Sequence, residues 1–278
     1  MKKQRILLVA FAVCVLGVVA NAQLLKRTTT KSDAIPFGAG STLSITGAPV
    51  GDIKVSNSTT DKITVEATIE VQASNEADLA GAAALTGFIV QETLGRVSIV
   101  SVGADLRRKF TNEEKKLVKR LKGMPYRIDY SIGIPRYCNV EIDGGHGIID
   151  LSGAEGQHRI NGVESELRVQ VYGRLSINLV HGRADITVVP GHRLDWIEAS
   201  VASGQLGLHM VRGVSADIEA SILRSGHVSI KDAPDLKPRD ERKFPYTEKL
   251  VMARSGVGGP VIKLTVGDGD VWVGRVVE

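Results

Sequence analysis

The sequence predicts an all-β protein built as a β-solenoid, a coil of short stacked strands with a repeat of about 22 residues. Two observations predict it: apolar and polar residues alternate along most of the chain, and a glycine-led motif recurs at regular intervals. Alternation with a period of two is typical of strands that bury one face. Because only 4% of residues are aromatic, the core must consist mainly of aliphatic side chains, and the β-branched ones favour strands.

The repeated motif reads glycine, any residue, apolar, any residue, apolar, as in the segment GRADITV at residues 182–188. Its copies begin at Gly51, Gly95, Gly147, Gly173, Gly182, Gly204, Gly226 and Gly269. Two successive spacings from Gly182 are 22 residues, others are 43 and 44, and one is 26. Glycine suits a corner between strands because it accepts a positive φ. An antiparallel sandwich or barrel whose hairpins begin with glycine is the alternative.

The first 22 residues have the pattern of a secretory signal peptide. Lys2, Lys3 and Arg5 precede an apolar run of 14 residues, and Ala20 and Ala22 form the A-x-A pattern of a cleavage site. A helix that spans a bilayer needs about 20 residues. We therefore expect cleavage after residue 22 and a mature chain in the periplasm, on the outer surface or in the medium, with an uncleaved anchor as the alternative.

The rest of the chain divides into two β segments and two interruptions. An N-terminal β-repeat segment covers residues 38–103, and the main solenoid segment covers residues 126–277. Residues 104–124 form a basic insertion between them, and residues 232–249, rich in proline and charge, predict an exposed loop.

The basic insertion predicts an amphipathic helix, with Thr111 as its N-cap and Glu114 three residues later. It carries eight cations against three acids: Arg107, Arg108, Lys109, Lys115, Lys116, Lys119, Arg120 and Lys122. Such a helix can lie on anionic lipid, lipopolysaccharide or an acidic polysaccharide. It can equally cover an open end of the solenoid, where unpaired strand edges would aggregate. Both hypotheses stay open.

Several segments resemble a known family: GSTLSITGAPVGDIKV near the N-terminus, YSIGIPRYCNVEIDGGHGIIDLSGAEG in mid-chain, and the later glycine-led strands. With the signal peptide, they resemble the bacterial putative-adhesin family of unknown function over most of residues 38–273. The resemblance implies a secreted protein with β-helix-like coils. The basic insertion and the charged loop depart from that pattern, so continuity of the coil stays open. The family name implies little about ligands.

Histidines and acids near the repeat glycines are the residues that could carry chemistry. His146, His181 and His227 adjoin repeat glycines, but their spacing is not that of a metal site, and solvated turn residues are expected. The acids near the corners occur singly: Asp143, Asp150, Asp185, Asp217, Asp268 and Asp270. Glycoside hydrolysis requires a pair of carboxylates. We therefore predict no catalytic, metal or cofactor site.

Other chemistries find no support in the sequence. There is no G-x-S-x-G motif, and SGVGGP at residues 255–260 lacks the lysine of a phosphate-binding loop. Removal of the signal peptide lowers the net charge from +4 to +1, which gives no basis for nucleic-acid binding. Cys138 is then the only cysteine, and its alternation with Val140 and Ile142 predicts a buried thiol.

The favoured function is a non-catalytic envelope or surface protein, an adhesin-like scaffold that presents a repetitive β surface. Its partner is unknown, with a glycan, an anionic lipid or another envelope protein as candidates, and self-association is possible. One alternative is a polysaccharide lyase or hydrolase on the same scaffold. Another is a structural protein of the envelope that stacks end to end.

Overall fold

The computed structural model describes residues 24–103, 112–190, 194–239 and 247–276. The predicted signal peptide, residues 1–22, lies outside these ranges. The described fold is all-β, as predicted, with two short helices. Neither of these helices has the length and apolar character needed to cross a bilayer.

The elements of the described ranges are numbered in chain order. They are β1 (Leu25–Pro36), β2 (Thr42–Thr46), β3 (Ile53–Asn57), β4 (Lys62–Ala73), α1 (Glu76–Leu85), β5 (Gly87–Thr93), β6 (Arg96–Val102), α2 (Asn112–Leu121), β7 (Tyr126–Ile134), β8 (Asn139–Asp143), β9 (His146–Leu151), β10 (Gln157–Val171), β11 (Arg174–Val188), β12 (Ile197–Met210), β13 (Ala216–Ser225), β14 (Val228–Asp232), β15 (Lys237–Pro238), β16 (Leu250–Ser255) and β17 (Val261–Arg275).

All seventeen described strands belong to one mixed sheet that contains two ladders. The first ladder has the order β5, β6, β2, β8, β10, β11, β12, β17, β13, β16, β15. The second ladder has the order β1, β4, β7, β3, β9, β10, β11, β12, β17, β14. The four long strands β10, β11, β12 and β17 belong to both ladders, the first half of each strand to the first ladder and the second half to the second.

The predicted β-solenoid of short stacked strands is wrong. The strands form a single 17-stranded mixed sheet, in which β1–β4, β4–β7, β5–β6, β13–β16 and β15–β16 pair antiparallel. Four strands of the main segment, β10, β11, β12 and β17, are 14 or 15 residues long, and several repeat glycines lie inside them rather than at corners between them. Alternation identifies a half-buried strand but does not identify the strands that pair with it. The 22-residue spacing of the glycines arises because one long strand and the connection after it have about that length.

Six of the repeat glycines form a continuous line across the sheet, which we call the glycine file. Its members are Gly51, Gly147, Gly182, Gly204, Gly269 and Gly226, with Ser165 of β10 between the second and the third. Each glycine has a φ between +123° and +154°, a backbone conformation that other residues rarely adopt. A Cβ on any of them would overlap a backbone carbonyl oxygen of the neighbouring strand. Gly95 and Gly173 lie outside the file, at the β5–β6 and β10–β11 connections.

At the glycine file, the alternation of buried and exposed residues along each long strand shifts by one position. In β11 the buried residues have odd numbers before Gly182 and even numbers after it: Leu175, Ile177 and Leu179, then Ala184, Ile186 and Val188. Both halves of each long strand contribute to one hydrophobic cluster. The inward positions that alternation predicts are therefore the buried ones, on both sides of the file.

A thiol and an imidazole are among the buried side chains of the described fold. Cys138 is 1% exposed, as predicted, and burial raises the pKa of its thiol to about 12. His158 on β10 is 2% exposed, and burial lowers the pKa of its imidazole to about 4. The Nε2 atom of this imidazole lies 3.2 Å from the Ala154 carbonyl oxygen, whereas its Nδ1 atom has no hydrogen-bond partner.

The predicted helix of the basic insertion is present as α2, which packs against α1. Leu121 of α2 is fully buried and Val118 is half-buried, while Arg120 Nε forms a 2.8 Å ion pair with Asp78 Oδ1 of α1. Thr111 and the side chain of Glu114 lie outside the described residues. The predicted loop at residues 232–249 contains the short strand β15, and its residues 240–246 lie outside the described ranges.

The glycine file allows a direct test of the backbone contact. We expect Gly204→Ala to lower the free energy of unfolding by at least about 3 kcal/mol, because its Cβ would overlap the Gly182 carbonyl oxygen. Gly95→Ala is the control: Gly95 also has a positive φ, +73°, but no atom lies within 4 Å of the added Cβ. Backbone strain alone should cost about 1 kcal/mol there. Urea unfolding measures both values, and equal losses would contradict the role of the file.

The buried imidazole predicts a dependence of stability on pH. Because the pKa of His158 is about 4 in the fold and 6.5 in the unfolded chain, its contribution is complete above pH 6.5 and is lost as the pH falls towards 4. The loss should reach about 3 kcal/mol. We expect His158→Leu to remove that part of the acid destabilisation in urea unfolding at pH 7 and pH 4. His181→Gln, at an exposed histidine, should leave the difference unchanged.

Candidate functional site

The outward side chains of the second ladder form the candidate site. They belong to the second halves of β11, β12 and β17, where outward positions alternate with the buried ones. Parallel registration aligns these positions in three rows of three, which we call the outer tile. The rows are Arg183, Gln205 and Asp270; Asp185, Gly207 and Trp272; and Thr187, His209 and Gly274.

A notch lies at the centre of the outer tile beside Gly207, where the missing side chain lets Asp185 lie close to the backbone. A Cβ there would stand 2.5 Å from Asp185 Oδ1 and 3.3 Å from His209 Nε2. Asp185 accepts a 2.6 Å hydrogen bond from Arg183 Nε, and its other oxygen lies 3.4 Å from His209 Nε2. The hydrogen bond to Asp185 raises the pKa of the Arg183 guanidinium. The carboxylate is therefore fixed between two nitrogen groups at the rim of the notch.

The aromatic side of the notch is fixed as well. The rings of His209 and Trp272 meet edge to face, with centroids 4.6 Å apart and an interplanar angle of 63°. Trp272 Nε1 donates a 2.7 Å hydrogen bond to Asp232 Oδ2 of β14. The indole lies against Gly274, where an added Cβ would be 2.7 Å from Cζ2 of the ring. The half-buried indole thus has one orientation, set by a hydrogen bond and by packing.

The notch opens into a longer trough across the second ladder. The notch encloses about 210 Å³ and the trough about 510 Å³, and the two share Arg183 and Asp185 in their walls. Along the trough, registration places Asp150 of β9, Arg168 of β10 and Asp185 of β11 side by side, so charges alternate from strand to strand. Hydrogen bonding to Glu166 raises the pKa of Arg168.

The acids singled out in the sequence separate into two groups. Asp150 and Asp185 line the trough, and Asp185 and Asp270 line the notch, so no described cavity contains more than two of them. The others are paired elsewhere: Asp143 with Asn161, Asp217 with Arg254, and Asp268 with Arg224.

The three histidines do not form a metal site in the described part of the chain. His146 and His181 occupy the same row of the sheet, separated by Glu164 of β10, whose Oε2 lies 3.0 Å from His146 Nδ1. His227 is outside that row and pairs with Asp270 at 2.8 Å. Among the described residues, no three groups of metal-binding type converge.

The described basic residues of the insertion lie far from the outer tile along the ladder. Helix α1, on which α2 packs, contacts β1 and β4 at the opposite end of the second ladder from β17. Exposed cations on or just after α2 are Lys115, Lys116, Lys119, Arg120 and Lys122. Arg107, Arg108 and Lys109 lie outside the described residues.

The sequence patterns do not single out the central residues of the tile, Gly207, His209 and Trp272. The sequence does contain one indication that Trp272 belongs to a binding surface. It is a large aromatic residue at an outward position, between two inward valines of its strand. Nothing in the sequence pairs it with His209, because β12 and β17 are joined only by registration in the sheet.

The anchoring of Trp272 is testable by fluorescence. The chain has two tryptophans, so Trp196→Phe leaves Trp272 as the only reporter. In that background we expect Asp232→Ala to increase acrylamide quenching, because the indole loses its hydrogen bond, and to cost about 1 kcal/mol of stability. Asp235→Ala, which removes a partner of Arg275 and not of Trp272, is the control. Unchanged quenching in Asp232→Ala would show that the hydrogen bond does not fix the ring.

Comparisons with known proteins find similarity among solved structures. No family model matches the chain, and no curated protein matches it in sequence. A putative cell adhesion protein from Clostridium sporogenes is 11% identical, with 91% of this chain and 100% of that chain covered and a TM-score of 0.49. A putative adhesin from Bacteroides fragilis is 14% identical, with 89% and 97% covered and a TM-score of 0.29. A putative lipid binding protein from Parabacteroides distasonis is 10% identical, with 90% and 97% covered and a TM-score of 0.23. The predicted resemblance to putative adhesins is therefore confirmed among solved structures, and at these scores it says nothing of a ligand or an activity.

Proposed function

We propose that the mature chain is a non-catalytic surface protein that binds a partner through the outer tile and its trough. The observation that carries this proposal is the trough itself, a concave surface that crosses several strands, on which Arg183 is paired with Asp185 and Arg168 with Glu166. Binding sites place a few oriented polar groups around a concave surface, and this arrangement is present here. The predicted signal peptide supports a location outside the cytoplasm.

The arrangement of the carboxylates favours binding over catalysis. A glycosidase needs one carboxylic acid that stays protonated, usually in apolar surroundings, beside a second carboxylate. In the trough, Arg168 stands between Asp150 and Asp185, and Arg183 also contacts Asp185. Neither carboxylate therefore has the apolar environment of a general acid.

Two hypotheses were open for the basic insertion, binding to an anionic surface and covering of strands. The packing of α2 supports the second. An amphipathic helix that binds lipid must present its apolar side to the bilayer. In α2, Leu121 is buried in the protein core and Val118 is half-buried. The exposed lysines can still contact an anionic surface by charge alone.

An adhesion assay with the purified mature chain, residues 23–278, tests the proposal. Beads coated with it should bind mucin-coated plates or bacterial envelope fragments, and Arg168→Glu should weaken binding by about tenfold, because it disrupts the charge pairs of the trough. Arg159→Glu is the matched control, since Arg159 lies on the same strand in the first ladder.

Three outcomes would contradict the proposal. They are equal adhesion of the two variants, no adhesion to any surface, or release of soluble sugar fragments from envelope polysaccharide, which would favour an enzyme. Sedimentation of the mature chain separates adhesion from end-to-end assembly, because a scaffold that stacks would grow with concentration.

A further inference from the structure

We propose that the notch at Gly207 binds a neutral sugar unit, with Trp272 as the stacking platform and the trough as the path of the adjoining glycan chain. This inference rests on the proposed function and names the class of ligand for the same surface. It follows from four properties of the outer tile: an oriented aromatic ring, a rim of hydrogen-bonding groups, a balance of charge, and open space at the centre.

The aromatic ring has the geometry that a pyranose ring requires. One face of a sugar ring presents C–H groups, which pack on the electron-rich face of an indole, and such contacts need a ring that is held in place. Trp272 is held by Asp232 at 2.7 Å, by His209 and by the backbone at Gly274. Since its orientation is set before binding, little entropy is lost when a ligand stacks on it.

The rim of the notch matches vicinal hydroxyl groups. A hydroxyl both donates and accepts, so it binds best where donors and acceptors alternate. Arg183 and Gln205 offer planar N–H donors, and the Asp185 carboxylate accepts. His209 adds a ring nitrogen near Asp185. Adjacent hydroxyls of one sugar can therefore bridge two neighbouring groups of the rim.

The charge of the rim favours a neutral ligand. Arg183 is paired with Asp185, and Asp270 accepts a 3.0 Å hydrogen bond from the backbone N–H of His227. Among the described residues, no group of unpaired cations lines the notch, as a phosphate, a lipid headgroup or an acidic sugar would require. An anion would also meet two carboxylates that line the same cavity.

The absence of a side chain at Gly207 lets the Asp185 carboxylate lie across this position, beside the open space of the notch. Gly207 is not among the glycines of positive φ, so backbone conformation does not require glycine at this position. A methyl group there would press on Asp185, which lines the notch, and on His209, which lines the adjoining trough. The notch continues into the trough beside Arg168 and Asp150, which leaves a path for the rest of a polymer.

The experiment uses the mature chain with Trp196→Phe, in which Trp272 is the only fluorophore. Neutral oligosaccharides of glucose, galactose, mannose and N-acetylglucosamine are titrated, beside heparin fragments and vesicles of phosphatidylglycerol. We expect at least one neutral oligosaccharide to quench or blue-shift Trp272 fluorescence and to show calorimetric binding. We also expect Trp272→Ala to weaken calorimetric binding at least about tenfold in the unaltered chain. Gly207→Ala and Gln205→Ala should each weaken it several-fold.

Matched controls separate loss of binding from loss of folding. Glu198→Gln and Trp196→Phe alter exposed or half-buried residues at the start of β12, in the first ladder, and should change affinity less than twofold. Circular dichroism and the urea midpoint identify variants that fail to fold. If Gly207→Ala fails, Gln205→Ala still tests the rim.

Two kinds of result would overturn the inference. One is the absence of binding to every neutral oligosaccharide, or equal binding by Trp272→Ala. The other is binding to heparin or anionic vesicles alone. Periodate treatment of the adhesion surface distinguishes this failure from failure of the proposed function, because it oxidises vicinal diols of glycans. Adhesion that survives periodate refutes the sugar site and leaves a binding protein, whereas absence of adhesion to untreated surfaces refutes both.

Discussion

At each glycine of the file, a backbone carbonyl oxygen of the neighbouring segment occupies the place where a Cβ would stand. The contact is possible only with glycine at a positive φ, and it recurs at Gly182, Gly204 and Gly269 in adjacent strands. It aligns the long strands, because a shift of one residue would bring a side chain against a carbonyl group. At the same positions the alternation of buried and exposed residues shifts by one, so the buried side chains of both halves of each long strand pack into one core.

The outer tile depends on that alignment. Asp185, Gly207 and Trp272 come from three strands, and each lies three residues after a file glycine. These three positions lie on one face of the sheet because the alternation of buried and exposed residues shifts at the same row in β11, β12 and β17. The notch is thus a consequence of registration: a glycine in the middle strand, flanked by a carboxylate and an indole in the outer two. A change in register would separate these groups without altering any of them.

Much of the local structure can be predicted from the sequence, because it depends on neighbours along the chain. Alternation identifies the strands and the inward residues of β11, and spacing identifies the helix that contains Leu121. The pairing of strands cannot be predicted in this way. β17 lies between β12 and β13, although β13, β14, β15 and β16 precede it in the chain. His209 and Trp272 meet only because of this insertion, and no local pattern encodes it.

Glycines therefore serve two different purposes in neighbouring positions of the same strand. Gly204 is required by the backbone, since a carbonyl group of β11 fills the space beside it, whereas Gly207 faces the side chain of Asp185, which lies across it at the wall of the open space of the notch. The groups around that space are already paired, and this limits what can enter. An ion would have to displace Arg183 from Asp185, and breaking this charge pair leaves an uncompensated partner. A hydroxyl group can instead bind to the free lone pairs and N–H groups of the pair while the pair stays intact, so the rim selects for neutral polar ligands.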